Sequence, residues 1–195
     1  MKGLRGVIAL LLIIGALQAC TDRQGQNYNN KLADDTDGDT TPDTAAKLHM
    51  VVDNDDSQFA IAAMNGGMTE VALGRLAVKQ GKSKEVKNFG AMMVKDHSKA
   101  NNKLMVLIKD KNIKLPSLPA EKEQALIKML SQKSGADFDK AYVNAMVDDH
   151  QEDVKEFTAE TKKLQDPDLK NFAIKTLPVL QNHLGEIKAI KDVLK

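Results

Sequence analysis

The sequence predicts an all-α domain: an up-down-up-down four-helix bundle with a short extra helix in the connection between helices two and three. Three observations predict it. Apolar and small residues recur at alternating steps of three and four along four long stretches, the period that lays one face of a helix against its neighbours. Breaks containing Gly, Ser, Pro and Asp divide these stretches into two tight hairpins joined by one longer connection. The composition agrees, with 42% of the 195 residues hydrophobic, 4% aromatic and nine methionines, a balance that favours helix.

Residues 1–19 stand apart from this pattern. Lys2 and Arg5 precede the apolar run "VIALLLIIGALQA", which is too short to span a membrane and has the length of a signal-peptide core. The run closes on Leu17-Gln18-Ala19-Cys20. Residues 20–56 are rich in Asp, Asn, Thr and Gly without a sustained apolar period, and read as a flexible acidic tether. Inside it, "DTDGDTTPD" resembles the calcium repeats of thrombospondin type 3 modules, with hard oxygen ligands around a Gly turn. An EF-hand frame fails, because Gly38 at loop position six puts Ala33 and Thr44 at the two ends. A single repeat of this kind reads as solvated linker.

The bundle is expected over residues 57–195. Ser57 is placed as the cap of a first helix from about Gln58 to Gln80. Gly81 closes it and Ser83 caps a second, which runs to about Lys111. "NIKLPSLPA" is a connector with two prolines, and "AEKEQALIKMLSQKS" a short helix ended near Gly135. The third long helix runs from about Ala136 to Leu164, "QDPD" turns the chain, and the fourth runs from about Leu169 to the end. Pro178 lies inside that last helix, where it frees the carbonyl of Ile174. The resulting kink either serves packing or re-aims His183.

The seams then read Phe59, Ala63, Gly66, Glu70, Leu73, Ala77 on helix one and Val86, Gly90, Met93, His97, Ala100, Leu104, Leu107 on helix two. Helix three gives Val143, Met146, His150, Val154, Phe157, Thr161, Leu164, and helix four Leu169, Ala173, Thr176, Leu180, His183, Ile187, Ile190, Leu194. Each seam carries one strongly polar residue near its middle: Glu70, His97, His150 and His183. The remaining histidine, His49, lies in the tether. "MVKDH", ending at His97, is echoed by "MVDDH", ending at His150, each with an aromatic residue (Phe89, Tyr142) two turns earlier, as a duplicated hairpin would leave. Counted from turns near 82 and 166, the histidines lie within roughly 3 Å of one another along the axis, with Glu70 up to a turn nearer the turn end. This count takes both turns to lie at one end of the bundle.

One carboxylate and three neutral imidazoles converging inside a bundle can hold a single transition-metal ion, and zinc, copper and iron all accept such donors. Asp96 and Asp149 each precede a histidine, Asp153 lies three after His150, and Glu186 lies three after His183. These carboxylates are candidates for the outer ring nitrogens, where they would fix tautomer and raise basicity. The rival reading is a hydrogen-bonded polar layer that specifies register without a metal. Met64, Met68, Met92, Met93 and Met146, at helical spacing, read as core filler rather than soft ligands.

Several functions are excluded or unsupported. No basic tract is interleaved with aromatics, so nucleic acid is not an expected partner. Cys20 is the sole cysteine, which rules out an internal disulfide, a thiol nucleophile or a cysteine metal site in the domain. Ser98 follows His97 directly, and adjacent helical residues do not face each other, so a serine–histidine pair has no support.

Two resemblances add to these readings. "LQAC" resembles the lipoprotein signal of bacteria, which implies cleavage before Cys20 and lipidation of its sulfur and new amino group. Each buried methylene of such an anchor contributes roughly 0.8 kcal/mol to membrane attachment. "FAIAAMNGGMTEVALGRLA", "VKNFGAMMVKDHSKANNKL", "FDKAYVNAMVDDHQEDVKEF" and "LKNFAIKTLPVLQNHL", in that order, resemble the domain-of-unknown-function 4142 family from about Asp55 to Leu194. That resemblance implies a ferritin-like fold and a bacterial envelope address, facing the periplasm or the cell exterior; the family's role is unsettled. Di-iron ferritins carry Glu-x-x-His pairs, whereas Val94, Val147 and Leu180 stand three before the histidines here. The expectation is a membrane-tethered protein that binds one metal ion through its Glu/His layer. The alternative is a non-catalytic envelope scaffold or interaction module, and a metal-dependent enzyme has the least support because no substrate pocket is legible.

Overall fold

The computed structural model describes residues 52–116 and 119–194. The expected signal segment, Cys20 and nearly all of the tether lie outside the described residues. The described part is all-helical: α1 (Asn54–Gln80), α2 (Lys84–Asp110), the short α3 (Glu121–Ser131), α4 (Gly135–Lys163) and α5 (Pro167–Val193). No described helix is long and apolar enough to cross a membrane.

Local chemistry sets the helix ends. α1 begins three residues before the expected cap at Ser57, with Asp53 as N-cap and Asp55 and Asp56 in the first turn. Carboxylates stabilise that end because they meet the positive pole of the helix, so acidic text that reads as tether forms the first turn. Ser83 caps α2 as expected, its Oγ accepting from the N–H of Val86 at 3.0 Å. Gly81 closes α1 in extended conformation, with φ −61° and ψ 149°. Gly135 does not end the short helix, which stops at Ser131, but opens α4 at φ +62°, a conformation that glycine adopts without a Cβ penalty. Asp166 caps α5 by accepting from the N–H groups of Asp168 and Leu169, both at 3.0 Å, with Pro167 at the first helical position. α5 continues through Pro178, which is exposed.

Two buried aspartates fix the topology. Asp139, one turn into α4, accepts from the backbone N–H groups of Lys82 (2.9 Å) and Ser83 (2.7 Å) in the α1–α2 turn. Gly81 and Gly135 pair at the same end. At the opposite end Asp56 of α1 accepts from Asp166 (2.6 Å) and Gln165 (3.2 Å) in the α4–α5 turn, and Lys111 reaches Asp166 at 2.6 Å. The two hairpin turns therefore lie at opposite ends, and α2 runs parallel to α4. This corrects the up-down-up-down order. The connection carrying α3 returns the chain along the bundle, the single-crossover arrangement of ferritin-like folds. Around the bundle the order is α1, α2, α5, α4, so every adjacent pair is antiparallel. α3 lies on α1 and α4 and adds Leu126, Ile127 and Leu130 to the core.

α1 and α2 approach closely. A Cβ on Gly74 would fall 2.6 Å from the carbonyl oxygen of Gly90, and one on Gly90 would fall 2.6 Å from the Cβ of Ala77. The core has two halves. One gathers Leu73, Phe89, Met93, Phe138, Tyr142, Met146 and Ile187; the other Phe59, Met64, Leu104, Phe157, Leu169 and Leu180. Of the expected seam residues, Ala63, Gly66, Ala100, Leu107, Val154, Thr161, Thr176 and Ile190 are half-buried and Leu194 is exposed; Gly67 is the buried glycine of its pair with Gly66. Of the methionines, Met64, Met93 and Met146 fill core, Met92 is half-buried and Met68 is exposed.

Asp139→Ala removes a buried carboxylate from two backbone donors and is expected to cost about 2–3 kcal/mol, read as a lower urea midpoint at unchanged slope. Asp166 gives a pH signature. Burial alone would raise its pKa, but the Lys111 ammonium and the Leu169 and Asp168 N–H groups outweigh it and hold it low. A carboxyl held low stabilises the fold above its unfolded pKa, about 3.9, and loses that contribution as pH falls through the folded value. The stability gap between wild type and Lys111→Met is therefore expected to be constant above about pH 5 and to close below about pH 4, as measured by urea titrations across that range.

Candidate metal centre

Between the two half-cores lies a layer of four buried polar side chains, one from each long helix: Glu70, His97, His150 and His183. Each is central in its helix and carried inward by the heptad-like spacing of its apolar neighbours. The three imidazoles form a nearly equilateral group, with ring centroids 5.3 Å (His97–His183), 5.5 Å (His150–His183) and 5.9 Å (His97–His150) apart. Phe89 lies against this group, 6.1 Å from His150 and 6.4 Å from His183, edge-on to both.

Each ring has one nitrogen engaged outside the group. His97 Nδ1 meets Glu70 Oε2 at 2.6 Å. His150 Nδ1 donates to the Met146 carbonyl at 3.1 Å. His183 Nε2 meets Asp96 Oδ2 at 3.2 Å. A backbone carbonyl can only accept, so His150 Nδ1 carries the proton and Nε2 keeps its lone pair; a carboxylate opposite His97 or His183 favours the same arrangement, whereas a protonated carboxyl donates to the ring. Those other nitrogens, His97 Nε2, His150 Nε2 and His183 Nδ1, are all buried without a hydrogen-bond partner, as is Glu70 Oε1. The three histidines offer ligand atoms within 4.8 Å of one another. An ion with bonds of about 2 Å draws such nitrogens to about 3.3 Å apart, an adjustment within side-chain reach.

Electrostatics keeps the donors neutral. Burial lowers His97 to about 4 against the opposing pull of Asp149 and Asp96. Burial and the neighbouring His97 and His183 lower His150 to about 3, and burial lowers His183 against its bond to Asp96. Glu70 is pushed well above the usual carboxylate range by burial and then by Asp149. The layer holds lone pairs and a carboxyl, and no buried cation of its own.

The sequence-derived candidates separate into roles. Glu70 stands behind His97 rather than among the three free nitrogens. Its Oε1 is 3.4 Å from His150 Nε2, outside hydrogen-bonding alignment, and it shares a second cluster of ligand atoms with Asp149 and His150. Asp96 serves His183 across the helix interface rather than its own neighbour His97. Asp149 and Asp153 lie near Glu70, and burial raises them to about 6 and about 9, respectively. Glu186 does not reach the imidazole: it is exposed, accepts from Asn182 Nδ2 at 2.8 Å, and touches His183 through charge alone. Tyr142 went unnoticed as a functional candidate. Its hydroxyl is buried without a partner, and burial, Glu70 and Asp149 push its pKa upward. The signal was in the repeated phrase, since residues eight apart share a helix face.

A profile of the family described as domain of unknown function (DUF4142) matches residues 40–190. The chain belongs to the DUF4142 family. Curated proteins give no match. Among solved structures, this DUF4142 chain is similar to CopM in the Cu(I)-bound form, with a TM-score of 0.60, 11% identity, and coverage of 70% of this chain and 95% of that chain. At that identity the likeness is one of fold: two helical bundles.

Glu70→Gln tests the cost of the buried carboxyl. The amide can accept from His97 Nδ1 and donate toward His150 Nε2, while removing an acid that burial disfavours. At pH 7 in the presence of a chelator, the variant is expected to melt a few degrees above wild type, as measured by calorimetry.

Proposed function

We propose that this DUF4142 domain binds one transition-metal ion through His97 Nε2, His150 Nε2 and His183 Nδ1, as a lipid-tethered protein of the bacterial envelope. The observation that carries the reading is the matched orientation of the rings. Three buried rings each turn one nitrogen to an oxygen outside the group, and each leaves the other nitrogen buried without a partner. Buried polar atoms are normally satisfied, and a cation satisfies three lone pairs at once. Glu70, behind His97, would supply compensating negative charge once the bound ion displaces the proton that burial favours on it, and would then raise the basicity of that ring. Phe89 and the two half-cores surround the donors with apolar side chains.

Three neutral nitrogens suit zinc, copper or iron, and a fourth position is open to Glu70 Oε1 or an exogenous ligand. The likeness to a Cu(I)-bound bundle favours copper among these. Cys20, through its lipid, would hold the domain at a membrane while the acidic segment spaces it from the surface. Storage, protection or sensing of the ion fits this build better than catalysis. The scaffold reading draws on the same polar layer, but leaves its three lone pairs unmatched.

Elemental analysis of the purified full chain, with titrations of Zn²⁺, Cu⁺, Cu²⁺ and Fe²⁺, is expected to give one ion per chain. His97→Ala/His150→Ala is expected to abolish it, and Asp96→Asn to weaken it by about 10–100-fold. Binding of none of these ions by the wild type would return the layer to a structural role.

A further inference from the structure

A metal held this deep needs a way in, and the surface offers two depressions that differ in charge. One, about 440 Å³, lies along α2 and α5 and is lined by Lys99, Lys103 and Lys175 beside Asp96 and Asp168. The other, about 430 Å³, lies on α1 and the end of α4, with Asp53, Asp55, Glu156 and Glu160 in its walls. Ala62 and Glu156 also line an inner cavity of about 40 Å³ that touches Asp153, Glu70 and His97. The inner cavity thus adjoins the acidic depression across Ala62 and Glu156 and the lysine-lined one across Ala100, Phe172 and Thr176, and charge distinguishes the two approaches to the histidine layer.

We propose that divalent cations reach the histidines along the α1–α4 seam, passing Glu156 and Asp153 and pausing on Glu70 and Asp149. This rests on the metal-binding reading above and adds the route and a second, transient site. The geometry provides a place to pause: Glu70, Asp149 and His150 offer ligand atoms within 4.8 Å of one another. Glu70 is fully buried, lines the inner cavity, and has an unpartnered oxygen. His150 belongs both to this cluster and to the three-histidine group. An ion on Glu70 and Asp149 therefore moves inward by exchanging carboxylate oxygens for imidazole nitrogens while His150 Nε2 stays bound. The arriving cation displaces the proton that burial favours on the Glu70 carboxyl, which leaves to solvent, and no electron transfer is needed.

The seam is also wide enough. The inner cavity holds about one water-sized species, so an ion would cross it largely stripped, with carboxylates replacing its hydration shell. Gly66 keeps the wall open, since a Cβ there meets nothing within 4 Å. Acidic walls concentrate cations, whereas the lysines of the opposite depression repel them.

The test is the rate at which the full chain takes Zn²⁺ from a chromophoric indicator in stopped flow. Two variants leave the proposed ligands intact: Glu156→Gln removes charge at the mouth, and Gly66→Leu fills the inner cavity. Each is expected to slow loading by about tenfold or more while leaving one Zn²⁺ per chain at equilibrium. Lys103→Gln/Lys175→Gln in the opposite depression is expected to load at or above the wild-type rate. Loading by both seam variants at the wild-type rate overturns the route. So does wild-type binding of Cu⁺ with no uptake of Zn²⁺, an outcome that leaves the metal reading standing. If the wild type takes up none of the ions of the earlier titration, that reading fails and the route falls with it.

Discussion

Four polar side chains sealed between two apolar half-cores impose the constraint on which the rest of the structure depends. Each arrives from a different helix, so none can be satisfied by its own local backbone alone except at one ring nitrogen of His150, which donates to Met146. The others look outward to carboxylates, Glu70 for His97 and Asp96 for His183. In a medium of low polarity, an unmet donor is expensive. The outer nitrogens therefore take the protons, and the inner nitrogens are left as a cluster of lone pairs. The chemical character of the centre follows from where its second ring nitrogens found acceptors.

Such a layer tolerates little sliding of one helix on another. A slip of one residue moves a side chain about 1.5 Å along the axis and turns it about 100°, enough to swing an imidazole out of the group. Devices elsewhere in the chain hold the register. Asp139 grips one hairpin turn and Asp56 the other, while Gly74, Ala77 and Gly90 bring α1 and α2 into backbone contact at a depth that larger residues would forbid. Phe89, packed edge-on to Tyr142, His150 and His183, joins the layer to the half-core beside it.

Much of this was legible in the sequence because it rests on periodicity. The five helices and the four inward polar residues follow from apolar spacing, and the cap at Ser83 from local chemistry. The direction of the third long helix was not legible: hydrophobic period is blind to whether a long connection turns back or crosses over. The histidine layer emerges from the wrong topology because the three residues lie near the middles of helices of similar length, where a count from either end gives nearly the same depth. The cap at Asp53 was hidden because an acidic first turn and an acidic linker share a composition. Partners across helices, such as Asp96 with His183 rather than with its neighbour His97, depend on tertiary placement that adjacency in sequence misassigns. The repeated "MVKDH" and "MVDDH" have a different meaning in this topology. They lie on α2 and α4, the second helix of one hairpin and the first of the other, so they do not occupy equivalent places in a duplicated unit.

The equivalence that does exist is between the aspartates. Asp56 stands in the first turn of one hairpin and Asp139 one turn into the other, and each closes the loop of its opposite number. Each hairpin thus completes the other's tip. The N–H groups of Lys82 and Ser83 in one turn, and of Gln165 and Asp166 in the other, find their side-chain acceptor on the opposite hairpin. The domain is therefore built as a dimer is built, by reciprocal exchange between halves, with the crossover segment keeping the two halves in one chain and adding α3 to the core.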